Sequence, residues 1–169
     1  TMLSNPSREQ SHARTLTSYP LNLTGRIYGS AMPFGLYDPE GTLLPEFRAA
    51  AIHGVVLLAE PDECREKTGR DLLAMYREEG LRVLPLPIPN YGIPLDGGLP
   101  EVLKRVYEEA AQGHNVVIHC SAGLGRTALF ATLLARSVLG LSGPDALAWL
   151  GRHQPGALLT PAQIMLIME

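Results

Sequence analysis

Apolar positions in this chain fall into two patterns. Short continuous runs bounded by turn formers alternate with longer stretches of helical spacing. Val55-Val56-Leu57-Leu58, between Gly54 and Pro61, and Val116-Val117-Ile118, just after Gly113-His114-Asn115, are runs of the first kind. Such β-branched runs predict strands buried on both faces. Residues 21–30 read as an early strand or hairpin with Gly25 at a turn. Residues 81–88 read as a strand until Pro85, Pro87 and Pro89 break it. Residues 44–52, 62–79, 99–113, 127–139, 145–153 and 161–168 carry helical spacing, with Pro45 at a helix start and Gly80 at a helix stop. Residues 31–41 and 89–100 are rich in Pro and Gly and read as shaped loops. Strands alternating with helices predict an α/β fold with a central, mainly parallel sheet flanked by helices. In such sheets ligands sit at the C-terminal ends of the strands.

Chemistry concentrates where this rule would put it. His119-Cys120-Ser121-Ala122-Gly123-Leu124-Gly125-Arg126-Thr127 joins a buried strand to the start of an apolar helix through small residues. A loop of this kind turns backbone N–H groups toward an anion, and the helix N-terminus adds to its positive field. A thiol at its floor is held toward the thiolate by those donors and by Arg126. The same donors can bind phosphoryl oxygens above the sulfur, with Arg126 bidentate, so that in-line attack gives a cysteinyl-phosphate. Ser121, Ala122, Gly123, Leu124, Gly125 and Arg126 are thus the candidate phosphate binders. Gly123 and Gly125 are expected to permit the backbone angles, and Thr127 to donate a hydrogen bond to the thiolate. His119 reads as support for the loop and the thiolate rather than as a general base.

Bulk properties narrow the setting. At 169 residues, with 46% hydrophobic and 18% charged positions, the chain fits one globular domain over residues 21–169 behind an N-terminal lead-in at 1–20. The net charge of -3 gives no general attraction to nucleic acid or acidic membranes, so a phosphate site has to be local. Two cysteines, Cys64 and Cys120, suggest neither a disulfide scaffold nor zinc. His12, His53, His114 and His153 have no metal-ligand partner at useful spacing, so neither a metal nor a cofactor is expected. The first twenty residues show no apolar leader, and no stretch approaches the ~20 apolar residues of a membrane span. A monomer in the reducing cytoplasm is the expected setting.

The 119–127 motif, HCSAGLGRT, resembles the signature of the cysteine-dependent protein tyrosine phosphatase superfamily, and the length fits its compact dual-specificity or bacterial branch. The resemblance extends over about residues 20–169 and implies hydrolysis of phosphotyrosine, and of phosphoserine or phosphothreonine, in proteins. Within 154–163 (QPGALLTPAQ), Gln163 maps to the family's water-positioning glutamine. Residues 86–89 (LPIP) and the loop after them resemble the general-acid loop. Relatives that act on inositol lipids tend to carry lysines where this chain has Ser121 and Leu124, which weakens that substrate class.

Asn90 stands where the compact relatives carry the aspartate general acid. A positioned acid contributes about 10²- to 10⁴-fold in rate. Three readings stay open. Another carboxylate supplies the proton (Asp96 on the same loop, or the more remote Asp38), Asn90 is an engineered exchange that traps substrate, or it is natural in a slow enzyme. Asp96 also reads simply as a turn or cap residue before Gly97-Gly98. A binding module that recognises phosphate with little turnover is the alternative to an enzyme. Tyr91, Tyr37 and Phe34 lie in loops that could border the cleft. Cys64 reads as a partly buried thiol, with a redox partnership to Cys120 as its alternative. The acidic cluster Glu60, Asp62 and Glu63 is accounted for by a helix N-terminus.

Overall fold

A computed structural model describes residues 15–169. Its strands are β1 (Thr17–Tyr19), β2 (Ile27–Ser30), β3 (Ile52–Leu57), β4 (Arg82–Pro85) and β5 (Asn115–His119). Its helices are α1 (Leu43–Ala49), α2 (Pro61–Thr68), α3 (Leu72–Glu78), α4 (Leu99–Ala111), α5 (Arg126–Leu139), α6 (Gly143–His153) and α7 (Pro161–Met168). The strands form one sheet in the order β1-β2-β5-β3-β4. Only β1, at one edge, runs antiparallel to its neighbour; the other pairings are parallel. The fold is therefore mixed α/β with a mainly parallel sheet.

Strand alternation sorts the core into two layers. From β3 and β5, Val56, Val116 and Ile118 pack on one face with Val106, Phe130, Leu134 and Trp149 of α4, α5 and α6. Val55, Leu57 and Val117 point the other way, toward Leu43 and Phe47 of α1 and Leu72 and Tyr76 of α3. Both faces are covered, which explains why these strands read as continuous apolar runs.

Two expectations change. The lead-in is shorter than residues 1–20, because Thr17–Tyr19 pairs with β2 and Tyr19 is buried. Residues 1–14, with His12, lie outside the described residues. The single helix expected over 62–79 is two. Gly69 ends α2 in the left-handed region at φ 68°, and Asp71 caps α3 by accepting from Ala74 N.

Candidate functional site

The loop at 120–125 leaves the C-terminal end of β5 and enters α5, an apolar helix whose first turn has no side-chain cap. Its leading N–H groups are therefore free for an anion. Cys120, buried at the end of the strand, accepts a hydrogen bond at Sγ from Thr127 Oγ1 at 3.1 Å.

The loop is held from outside by its carbonyls. His119 Nδ1 donates to Cys120 O at 3.0 Å, Met32 N to Ser121 O at 2.9 Å, Gln154 Nε2 to Gly123 O at 2.8 Å and Leu158 N to Leu124 O at 2.8 Å. In a planar trans peptide the next residue's N–H points opposite to the carbonyl. Four outward carbonyls therefore turn the N–H groups of Ser121, Ala122, Leu124 and Gly125 inward. Gln154 is in turn positioned by the buried Tyr19, whose hydroxyl donates to its Oε1 at 2.5 Å.

Glycine is required at one of the two loop positions. Gly123 has φ +80°, and a Cβ there would lie 2.6 Å from Ser30 O. Gly125 has φ -111°, and its Cβ would meet nothing nearer than Leu158 O at 3.4 Å. A positive φ and a steric requirement for glycine are thus found at Gly123.

His119 is fully buried between two partners. Cys120 O can only accept, so Nδ1 carries the proton, and Nε2 accepts from Tyr76 Oη at 2.7 Å. Burial pushes the Tyr76 hydroxyl well above its usual pKa, which keeps it a donor. Burial, helped by the Arg126 charge, pulls the His119 pKa down to about 4 against the hydrogen bond to Cys120 O. His119 is thus a neutral support for the loop.

Arg126 is 2% exposed and held by a carboxylate to which sequence analysis assigns only a helix-end role. Its Nη1 donates to Glu63 Oε1 at 2.9 Å and Ile88 O at 3.0 Å, and its Nη2 to Glu63 Oε2 at 2.7 Å. Three of five guanidinium N–H groups are used, leaving Nε–H and one Nη2–H for an oxyanion. Burial opposes the Glu63 carboxylate, but the hydrogen bonds and charge of Arg126, with Lys67, outweigh it and hold the carboxyl below its usual range. For Arg126 burial is likewise outweighed, by Glu63 and Cys120, and the guanidinium pKa is raised.

Lys67, one turn along α2, is a second missed residue. Its Nζ lies 3.4 Å from Glu63 Oε2 and 2.9 Å from Ser121 Oγ, at the cavity wall. The positive charge absent from positions 121 and 124 comes from a neighbouring helix. Only the i,i+4 spacing of Glu63 and Lys67 hinted at it; the approach of α2 to the loop is a tertiary contact.

Cys120, Arg126, Ser121, Ala122, Leu124 and Gly125 line a cavity of about 270 Å³, with Asn90, Gln163 and Lys67 on its walls. Leu36, Tyr37, Tyr91 and Leu158, all strongly exposed, form its apolar mouth. Among the described residues no carboxylate lines it. Asp38 is buried and caps α1, accepting from Thr42 N, Thr42 Oγ1 and Leu43 N, so it is removed as a proton donor to this cavity. Asp96 is exposed outside the cavity, and α4 begins after Gly98 without a side-chain cap. Phe34 does not reach the mouth: it sits beneath the Arg70 guanidinium, 3.8 Å from the ring centroid.

Gln163 is fully buried at the start of α7 and ties that helix to the loop after Asn90. Its Nε2 donates to Gly92 O at 2.9 Å and its Oε1 accepts from Thr160 N at 3.0 Å. Thr160 Oγ1 reaches Tyr91 O at 3.3 Å. One amide N–H and one oxygen lone pair remain on this side chain, which lines the cavity. Cys64 lines a separate cavity with Leu72, Pro85 and Pro87. Burial, with the Glu63 charge, pushes its thiol up to about 11, so it is protonated at neutral pH. No helix among the described residues is long and apolar enough to cross a membrane.

Comparisons with known proteins bear on the family and the fold. Residues 38–139, more than half of the chain, match the family described as Tc-R-P, polymorphic toxin system, DSP-PTPase phosphatase. Over 86 residues the chain is 36% identical to receptor-type tyrosine-protein phosphatase alpha of Homo sapiens, covering 46% of this chain and 11% of that protein. The shared stretch is thus a small part of that relative's length. Kinase-associated phosphatase (KAP), solved with its catalytic-site cysteine replaced by serine, shares the fold at a TM-score of 0.81 and 20% identity, with 90% of each chain covered. Tk-PTP in its active form gives a TM-score of 0.71 at 28% identity, covering 90% of this chain and 96% of the other.

Proposed function

Because this chain belongs to the DSP-PTPase phosphatase family, we propose that it is a phosphoric monoester hydrolase of the protein tyrosine phosphatase type that works through a phosphocysteine on Cys120 and lacks a dedicated general acid. The carrying observation is a cavity that holds Cys120, Arg126 and Asn90 with no carboxylate in its lining.

In the first step the Cys120 thiolate attacks phosphorus in line with the ester oxygen. The P–S bond forms, the P–O bond breaks, and the leaving group departs as its anion, taking a proton from water. The inward N–H groups and the two free N–H groups of Arg126 bind the three phosphoryl oxygens where charge develops. In the second step water attacks the phosphocysteine, the P–S bond breaks, and inorganic phosphate leaves while the water proton passes to solvent. Thr127, donating to Sγ at 3.1 Å, stabilises the departing thiolate. Gln163 orients the water with its uncommitted N–H and lone pair, and His119 keeps the loop in shape.

The missing acid selects the substrate. A phenol, of pKa ~10, leaves tolerably as its anion, whereas an aliphatic alcohol lies nearer water at ~15.7. Phosphotyrosine in a protein is therefore the favoured substrate, and the mouth of Tyr37, Tyr91, Leu36 and Leu158 suits an aromatic ring. Phosphoserine and phosphothreonine are slower substrates. A monomer in a reducing compartment, which keeps Cys120 a thiol, completes the reading.

Asn90 supports a second reading, a module that binds phosphorylated partners and turns over little. Steady-state hydrolysis of p-nitrophenyl phosphate separates the two. The enzyme reading expects turnover that Cys120→Ser abolishes. Equal rates for parent and Cys120→Ser would remove the nucleophile, and tight phosphopeptide binding without turnover would select the binding module.

A further inference from the structure

At the opposite end of the parallel strands, two imidazoles and a carboxylate converge. His53 is the second residue of β3, His114 immediately precedes β5, and Glu109 stands near the end of α4. Sequence spacing pairs none of them; the fold does. Glu109 Oε2 lies 2.6 Å from His114 Nδ1 and 3.5 Å from His53 Nε2, and one potential ligand atom from each residue falls within 4.8 Å of the others. No useful spacing marks these residues in the chain because they come from three separate elements.

Two features single out this cluster. The β3–β5 register shifts between Ile52 and Gly54, so His53 stands unpaired at an irregularity of the ladder, a place where a side chain can be re-aimed. His53 Nε2 is also shut off from solvent without a hydrogen-bond partner, although a carboxylate oxygen stands 3.5 Å away. A buried ring nitrogen in that position calls for something between it and the carboxylate.

We propose that His53 Nε2, His114 Nδ1 and Glu109 Oε2 form a binding site for one first-row divalent transition-metal ion of the Zn²⁺ type. Two imidazoles and one carboxylate suit such an ion, and three protein ligands leave room for water. Mg²⁺ and Ca²⁺ prefer all-oxygen shells and are excluded. Arg82 Nη1 holds Glu109 Oε1 at 2.8 Å, which fixes the direction of Oε2, the oxygen that now bonds His114 Nδ1 at 2.6 Å and that an ion would take over. The rings now stack with centroids 4.0 Å apart, so each must tilt about its Cβ–Cγ bond to aim at a common point. Their side-chain exposures of 40% and 39% leave space for that tilt and a path from solvent. His114 and Cys120 are six positions apart along β5, roughly 20 Å at ~3.3 Å per residue. The ion would therefore clamp β3, β5 and α4 and take no part in phosphate chemistry.

Titration calorimetry with ZnCl₂ on the full chain carrying Cys120→Ser, which removes the competing thiol, tests this. One Zn²⁺ per chain should bind, unaffected by millimolar Mg²⁺, and His53→Ala and His114→Ala should each weaken binding about tenfold or more. Co²⁺ should give a visible d–d spectrum without a thiolate charge-transfer band. In the Cys120 parent, both histidine substitutions should leave p-nitrophenyl phosphate turnover unchanged. If an alanine variant loses its native circular dichroism, the glutamine variant at the same position takes its place. Absence of saturable Zn²⁺ binding, binding indifferent to both histidine substitutions, or a thiolate band that reports Cys64 would each overturn the proposal.

Discussion

Glu63 grips Arg126 through two parallel hydrogen bonds of 2.7 and 2.9 Å, so the guanidinium proposed to bind phosphate is fixed from α2 before any ligand arrives. Arg126 is buried, and removing its counter-charge leaves a cation in a low-dielectric pocket. Glu63→Ala should therefore cost about 3–5 kcal/mol in a urea melt. It should also raise KM for an aryl phosphate more than it lowers kcat. Added inorganic phosphate should restore part of the stability, because the anion replaces the lost charge. No loss of stability would show that Arg126 is adequately solvated without Glu63.

The Gln154–Gly123 bond predicts a positioning effect away from the reacting atoms. Gln154→Leu leaves the Gly123 carbonyl unbonded in a buried setting, a cost of about 1–3 kcal/mol. The Leu124 N–H loses its orientation, so kcat and vanadate affinity should fall together by about tenfold or more. Tyr19→Phe, which removes only the donor to Gln154 Oε1, should show the same pattern more weakly. Unchanged vanadate affinity in Gln154→Leu would mean the loop holds itself.

Gly123→Ala meets both a left-handed φ of +80° and a carbonyl 2.6 Å from the new Cβ. Activity should be lost and stability lowered by at least about 1 kcal/mol. Gly125→Ala, with a negative φ and no close neighbour, should keep a folded protein and measurable turnover. Equal effects at the two positions in parallel melts and assays would contradict the geometry.

His119 makes stability depend on pH in a defined window. Its folded pKa of about 4 lies below the unfolded value of 6.5. As pH falls below 6.5 the unfolded chain takes up a proton that the folded chain refuses. Stability should thus be full above about 6.5 and drop by about 3 kcal/mol by pH 4. Glu63, whose carboxyl is held low, acts in a lower window: its contribution is present above ~4.3 and fades as pH falls further. Urea melts from pH 7 to 4.5 should slope for the parent and flatten for His119→Asn. An identical slope in both would assign the effect elsewhere.

The strand–loop–helix at residues 115–127 could be read from the chain because every determinant is local: the β-branched run, the small loop residues and the helix start. Residues that arrive across the fold could not. Glu63 and Lys67 carry no local mark beyond an acidic helix start and i,i+4 spacing, and His53, Glu109 and His114 come from three elements. The break at Gly69 was masked by continuous helical spacing on either side. Asp38 shows the reverse case, a candidate acid on sequence grounds that the fold spends on capping α1.

The account turns on a cysteine site with an asparagine where a proton donor is expected. The dependence of kcat/KM on leaving-group pKa, across a series from aryl to alkyl phosphates, tests this most directly. For the parent the rate should fall steeply as the leaving group becomes more basic. Asn90→Asp should flatten that line, raising alkyl phosphate turnover about 10²-fold or more with little change for the best leaving groups. A parent line already flat, or one that Asn90→Asp leaves unmoved, would contradict the account.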